Sequence, residues 1–119
     1  KESMIVQIGG KFIAKETVFN SLENVFVPGT NWTGAVNLLG TKTELENVIF
    51  QNSRGEDALN IVNGEIKSKG LLKFKSIDQD AFDSDSARVV VFMEVPYYSL
   101  QFVFQFLDNY LNQINHILP

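Results

Sequence analysis

The side chains able to do chemistry are few, and the acids dominate them. Glu56, Asp57, Asp78, Asp80, Asp83 and Asp85 fall close together in the chain. If the segments carrying them stack as parallel strands, Asp57 lies over Asp80 at about 5 Å. Two carboxylates at that distance repel by about 1 kcal/mol in water, and by several times more at an effective dielectric of about 20. Such a pair needs turn N–H donors, a raised pKa or a bound cation. Calcium accepts clustered carboxylates in a flexible geometry, which makes Asp57, Asp80, Asp83 and Asp85 the metal candidates. The pattern Asp78-x-Asp80-x-x-Asp83-x-Asp85 lacks the spacing, central glycine and terminal glutamate of an EF-hand loop. It favours carboxylates that cap turns over a Ca2+ site, and no other cofactor is implied.

Other chemistries lack their residues. There is no cysteine, so disulfides, thiolate zinc sites and cysteine nucleophiles are excluded. His116 is the one histidine, too little for a His-rich metal site. Gly9-Gly10 is followed by no Lys-Ser/Thr and no further glycine at phosphate-loop spacing, so it reads as a turn. Trp32 is the one ligand candidate: its face could stack on a sugar, or it packs at a corner of the fold. Asn31-Trp32-Thr33 matches an N-glycosylation sequon, a pattern short enough to arise by chance. No residue is assigned a catalytic role.

The elements that would hold these residues must fit one domain of 119 residues. A hydrophobic share of 45% and a charged share of 20% are those of a globular chain. The net charge of -4 argues against nucleic acid or an anionic membrane as the main partner. The composition changes near Arg88. All ten basic residues and all eight glycines lie in residues 1–88, while residues 89–119 carry only Glu94 and Asp108 as charges. In the first part apolar residues come in short bursts divided by turn formers. Strands are expected at residues 4–8, 12–19, 24–27, 35–39, 45–50, 58–62, 64–67 and 71–75, with no helix. The apolar stretch 89–107 is broken by Glu94, Pro96 and three further polar residues, which excludes a membrane span there. Nothing at the start has the pattern of a signal peptide, and composition assigns no compartment.

A comparison of the chain with itself finds a repeat. The segment from Val48 to Asn60 echoes the segment from Leu72 to Asp83, with Phe50 on Phe74, Asp57 on Asp80, Leu59 on Phe82 and Asn60 on Asp83. The offset is 23–24 residues, and Thr17-Val18-Phe19-Asn20-Ser21 looks like a worn third copy. Short strands repeating at this length suggest a solenoid. Through the phrases Asn31-Trp32-Thr33-Gly34-Ala35-Val36, Leu45-Glu46-Asn47-Val48-Ile49-Phe50, Glu56-Asp57-Ala58-Leu59-Asn60 and Asp80-Ala81-Phe82-Asp83-Ser84-Asp85, residues 8–87 resemble bacterial right-handed parallel β-helix proteins of the pectin-lyase-like class. After Asp85 the chain departs from that pattern. The resemblance implies a cell-surface or secreted setting and a fold that hosts pectate lyases and polygalacturonases. The Gly-His-Gly and Arg-x-Lys segments of such enzymes are missing, and a fold alone licenses no activity. The expected fold is mainly β: a short right-handed parallel β-helix of three to four coils with a C-terminal amphipathic α-helix cap. Residues 1–119 form one domain, with 1–88 as the solenoid part and 89–119 as a strand and helix for capping and oligomerisation.

The tail carries the functional expectation. Residues 98–107 alternate as a strand would, yet also carry the 3-4-3-4 spacing of a helix seam. A strand at 89–95 and a helix from 97 to 117 are preferred. Tyr98, Leu100, Phe102, Val103, Phe106, Leu107, Tyr110, Leu111 and Ile114 lie on more than one face of that helix. One face can close the solenoid, and the other needs a partner. The leading reading is a non-catalytic assembly module acting as a homo-oligomer through this segment. The alternative is a carbohydrate-binding or carbohydrate-active module using Trp32 and the acids, and a small α+β domain is a third.

Overall fold

The computed structural model describes residues 3–92, and only the backbone of Val91 and Phe92. Along them run β1 (Ile5–Ile8), β2 (Lys11–Asn20), β3 (Gly34–Leu39), β4 (Lys42–Gln51), β5 (Asp57–Val62), β6 (Glu65–Lys75), β7 (Asp80–Asp85) and β8 (Arg88–Phe92), with no helix among the described residues. The odd strands form one sheet in the order β1-β3-β5-β7, and the even strands a second in the order β2-β4-β6-β8. Every pairing within the sheets is parallel. The chain thus crosses from the first sheet to the second in each consecutive pair of strands, here called a rung, and returns one strand further along. A narrower ladder joins the rungs on a third side, where Glu23 N–H donates to Ser3 O, Arg54 N–H to Leu22 O and Asp78 N–H to Ser53 O.

The registers are those the repeat predicts. Phe50 pairs with Phe74, Asp57 with Asp80, Leu59 with Phe82 and Asn60 with Asp83. Lys42 to Glu65 and Glu65 to Arg88 are steps of 23, whereas Lys11 to Lys42 is a step of 31. The excess is local. Glu23 bridges Arg54 at the longer step, while Thr33 O and Glu56 O accept from Asp57 and Asp80 at equivalent positions. Residues 24–32 are therefore an insertion in the first rung. That is why the expected strand at 24–27 is absent: its apolar residues precede Pro28-Gly29 and leave the ladder after Glu23.

The even strands bend where a left-handed residue recurs, at Glu16 (φ 48°), Asn47 (φ 51°) and Gly70 (φ 70°). Asn and Gly tolerate this conformation and Glu does so poorly. Asn47 Nδ2 holds Glu16 by donating to its Oε1 at 2.6 Å, and Asn47 Oδ1 accepts Leu71 N–H at 2.9 Å. The register shifts here, so that Asn47 faces both Gly70 and Leu71. A Cβ at Gly70 would run into the Asn47 carboxamide. The two short strands expected at 64–67 and 71–75 are consequently one strand, bent rather than broken.

Two further expectations need correcting. The chain does not leave the repeat after Asp85: β8 pairs with β6 in register through Lys69↔Phe92, because the valines from Val89 suit a sheet strand as well as the earlier phrases do. Asp57, Asp80, Asp83 and Asp85 are not turn residues either. Asp57 opens β5, and β7 runs from Asp80 to Asp85. The helix expected at 97–117 lies outside the described residues.

The core lies between the sheets. In β4 and β6 buried residues alternate with more accessible ones on either side of the bend, whereas β3 and β5 are buried on both faces. Gly34, Ala35 and Ala58 are the small residues that let a parallel strand be covered on both sides. Phe19, Phe50 and Phe74 form a continuous stack, with ring centroids 4.9 and 5.1 Å apart. That spacing is the rung spacing, so one aromatic per rung fills the interior with offset-stacked rings.

Candidate functional site

The acids converge at the start of β5 and β7. Gly34, Asp57 and Asp80 occupy one register position in successive rungs, and Asn37, Asn60 and Asp83 another. Asn37 closes a short loop: its Oδ1 accepts Gly34 N–H at 2.9 Å and its Nδ2 donates to Gly34 O at 2.6 Å. A Cβ at Gly34 would stand 2.7 Å from Val36 O and 2.8 Å from Asn60 Cβ, so the position admits only glycine. Asn60 Nδ2 donates to Thr33 Oγ1 at 3.1 Å, and the Thr33 hydroxyl hydrogen-bonds Asp57 in turn.

Two oxygens in this network have no partner among the described residues. Asp57 Oδ2 and Asn60 Oδ1 are both buried, both acceptors and both unsatisfied, an arrangement that is costly while Asp57 is ionised. Burial pushes the Asp57 carboxyl up to about 7, against the opposing Thr33 hydrogen bond, and the charges of Asp83, Glu56 and Asp80 add to the rise. Burial also raises Asp83, with the Asp85 charge next in effect. A protonated Asp57 becomes a donor and removes one of the orphaned acceptors. At 3% exposure this carboxyl is out of a substrate's reach, and it keeps its proton through the mildly acidic range, releasing it near neutral pH.

The metal candidates are only partly brought together. Asp57, Asp80 and Asp83 are neighbours, but Asp85 pairs with Val62 at the far end of β7, about 17 Å along the strand from Asp80. Among the described residues no three His, Cys, Asp or Glu side chains are placed to hold a metal ion. Trp32 is half-buried at the end of the first-rung insertion, one residue before Thr33. The insertion also carries Phe26, which is 84% exposed. Tyr98, Leu100, Phe102, Val103, Phe106, Leu107, Tyr110, Leu111 and Ile114 lie outside the described residues. No helix among the described residues is long and apolar enough to cross a membrane.

A second candidate surface was not anticipated. Among the described residues seven large apolar side chains are exposed: Val6, Ile8, Ile13, Val18, Phe26 and Val27 belong to the first rung and its insertion, and Leu71 lies elsewhere. Ile8, Ile13 and Val18 are 68%, 54% and 52% exposed. The same register positions later in the stack turn polar, at once or further along: Ile8 is followed by Leu39, Val62 and Asp85. Ile13 is followed by Glu44 and Lys67, Val18 by Ile49 and Lys73, and Val6 by Asn37, Asn60 and Asp83. Extending the repeat back into residues 5–20 position by position is the signal that would have found this. β1 and β2 are also the marginal strands of their sheets, so apolar side chains and a strand edge coincide at one end. Comparison with protein-family models, with curated proteins and with solved structures finds no match for this chain.

Proposed function

We propose that the chain is a short right-handed parallel β-helix working as a non-catalytic assembly module, and that it self-associates through its first rung. The observation that carries this reading is the concentration, among the described residues, of exposed apolar side chains on the marginal strands β1 and β2, two of which, Ile13 and Val18, stand where β6 carries Lys67 and Lys73. A long edge strand with apolar outward side chains is a template for pairing. A two-fold contact would present the same residues from each copy. Each half-exposed Ile or Val so covered contributes about 1 kcal/mol. The tail segment from Tyr98 to Ile114 remains a second proposed contact on its composition alone.

The substitutions Ile13→Lys and Val18→Lys test the reading without inventing a residue the fold has not already accommodated, because Lys67 and Lys73 stand at those positions in β6. Light scattering at micromolar concentration should give the wild type a mass above 13.4 kDa, and the double variant a lower mass with an unchanged circular dichroism spectrum. A wild-type mass equal to the chain mass overturns the reading, as does a folded variant of unaltered mass.

A carbohydrate-binding role is the second reading. It rests on Phe26 and Trp32 in the insertion beside the acidic column. Quenching of Trp32 fluorescence by an oligosaccharide series would support it, and a flat titration would remove it.

A further inference from the structure

The charges are sorted between two surfaces. Eight of the ten basic residues lie on the strands of the second sheet: Lys11, Lys15, Lys42, Lys67, Lys69, Lys73, Lys75 and Arg88. All eight are exposed. Only four of the fourteen acids, Glu16, Glu44, Glu46 and Glu65, share those strands. The acids Glu56, Asp57, Asp78, Asp80, Asp83 and Asp85 gather instead at β5 and β7 of the first sheet, with Glu56, Asp78, Asp80 and Asp85 exposed.

Among the described residues most of these charges form no ion pair. The ion pairs among the described residues join Lys15 and Lys69 to Glu46, and Lys67 to Glu65. Lys11, Lys42, Lys73, Lys75 and Arg88 take part in none of them, and neither do the acids of β5 and β7. Five exposed cations on one sheet and four exposed carboxylates beside the other are complementary sets carried by one molecule. Because the two sets lie on different sheets, a contact joining them is between copies and of head-to-tail type, the type that closes a ring or extends a chain of molecules.

We propose that copies of this chain associate in this second way, with the basic outer face of the second sheet of one copy docked on the exposed acids around β7 of the next. The inference rests on the assembly reading above but uses different residues, and salt separates the two contacts. Exposed ion pairs fade as the Debye length falls from about 30 Å at about 0.01 M salt to about 3 Å at about 1 M. Apolar burial at the first rung does not fade in this way.

Sedimentation of the intact chain at those two salt concentrations, repeated on the Ile13→Lys/Val18→Lys variant, separates the contacts. Low salt should shift both proteins to larger species than high salt does. Two charge reversals supply the decisive arm: Lys73→Glu/Lys75→Glu on one copy and Asp78→Lys/Asp85→Lys on another. Each alone should lose the salt-sensitive species, and an equimolar mixture should recover it, because each variant retains one of the two original surfaces and the reversed pair also match. A wild type that is monomeric at high salt yet associates at low salt would sink the assembly reading through the first rung and leave this inference standing. A wild-type mass unaffected by salt overturns the inference. So does failure of the mixture to recover the species while both variants stay folded. Binding of the basic face to polyglutamate with no salt-dependent self-association also overturns it, since the partner would then be a foreign polyanion.

Discussion

The first and third rungs share a backbone and differ in what they show to water. β2 and β6 both bend at a left-handed residue and both place a phenylalanine in the central stack. On the outside, however, Ile13 and Val18 stand where β6 has Lys67 and Lys73. The inward residues are held alike because any rung must fill the same interior. The outward residues are free to differ, so a difference there reports on what each rung meets. Charged lysines suit solvent, and half-exposed isoleucine and valine suit a partner.

The largest effect should come from the feature that the rungs share. Phe50 is 1% exposed and stacks on Phe19 below and Phe74 above. Phe50→Ala should lower unfolding stability by about 3–5 kcal/mol, through lost burial and a cavity that the sheets cannot close. Among the described residues Phe12 stacks on Phe19 alone, and it is half-buried, so Phe12→Ala should cost about half as much or less. Urea denaturation of both variants checks this. Equal losses would mean that the first rung is as enclosed as the second, which would remove the comparison on which the assembly reading stands.

A smaller effect distinguishes the rungs by pH. Asp57 in the second copy of its register position is buried with an orphaned oxygen, whereas Gly34 before it has no side chain and Asp80 after it is exposed. The Asp57 carboxyl rises from 3.8 to about 7 on folding. Between those values the folded state holds a proton that the unfolded state has released, so stability falls as pH rises through that window and levels off above it. Asp83, also raised, acts with the same sign. The melting temperature should therefore drop between pH 5 and pH 8, and Asp57→Asn, which mimics the protonated acid in shape, should flatten the drop and raise the value at pH 8. A variant profile as steep as the wild type would assign the dependence to another group.

What the sequence made legible was whatever repeats in kind. The pairs Phe50/Phe74, Asp57/Asp80 and Leu59/Phe82 were visible because each is a like residue at a like position, and the parallel registers follow from them. The insertion at 24–32 was misread as a strand because apolar residues near a turn look the same whether or not they join a ladder. The bend at Gly70 was misread as a break because glycine marks both. The burial of Asp57 and Asn60 was not visible at all. It depends on both faces of β5 being covered, a tertiary fact that a six-residue phrase does not encode. Asp57 was thus placed over Asp80 as observed, but Asp57, Asp80, Asp83 and Asp85, expected in turns, stand in strands.

The smallest effect on stability is also the sharpest test of the comparison. If the outward residues alone separate the rungs, the first-rung surface can be moved along the stack. Lys67→Ile and Lys73→Val place the residues of Ile13 and Val18 on β6, at positions that are outward and exposed in the present chain. Neither side chain is in the core, so unfolding stability should change by less than about 0.5 kcal/mol per site. The one ion pair lost, Lys67 to Glu65 at 3.4 Å, joins an exposed lysine to a half-buried glutamate and contributes little. The mass in solution should nevertheless rise above that of the wild type, because each copy would carry a second apolar face. It should do so at high salt as well as low, since no charge is needed for the new contact. If the variant is as stable as the wild type and no larger, exposed apolar residues at these positions do not drive association. The pairing at the first rung would then have to come from the free edges of β1 and β2 rather than from their side chains.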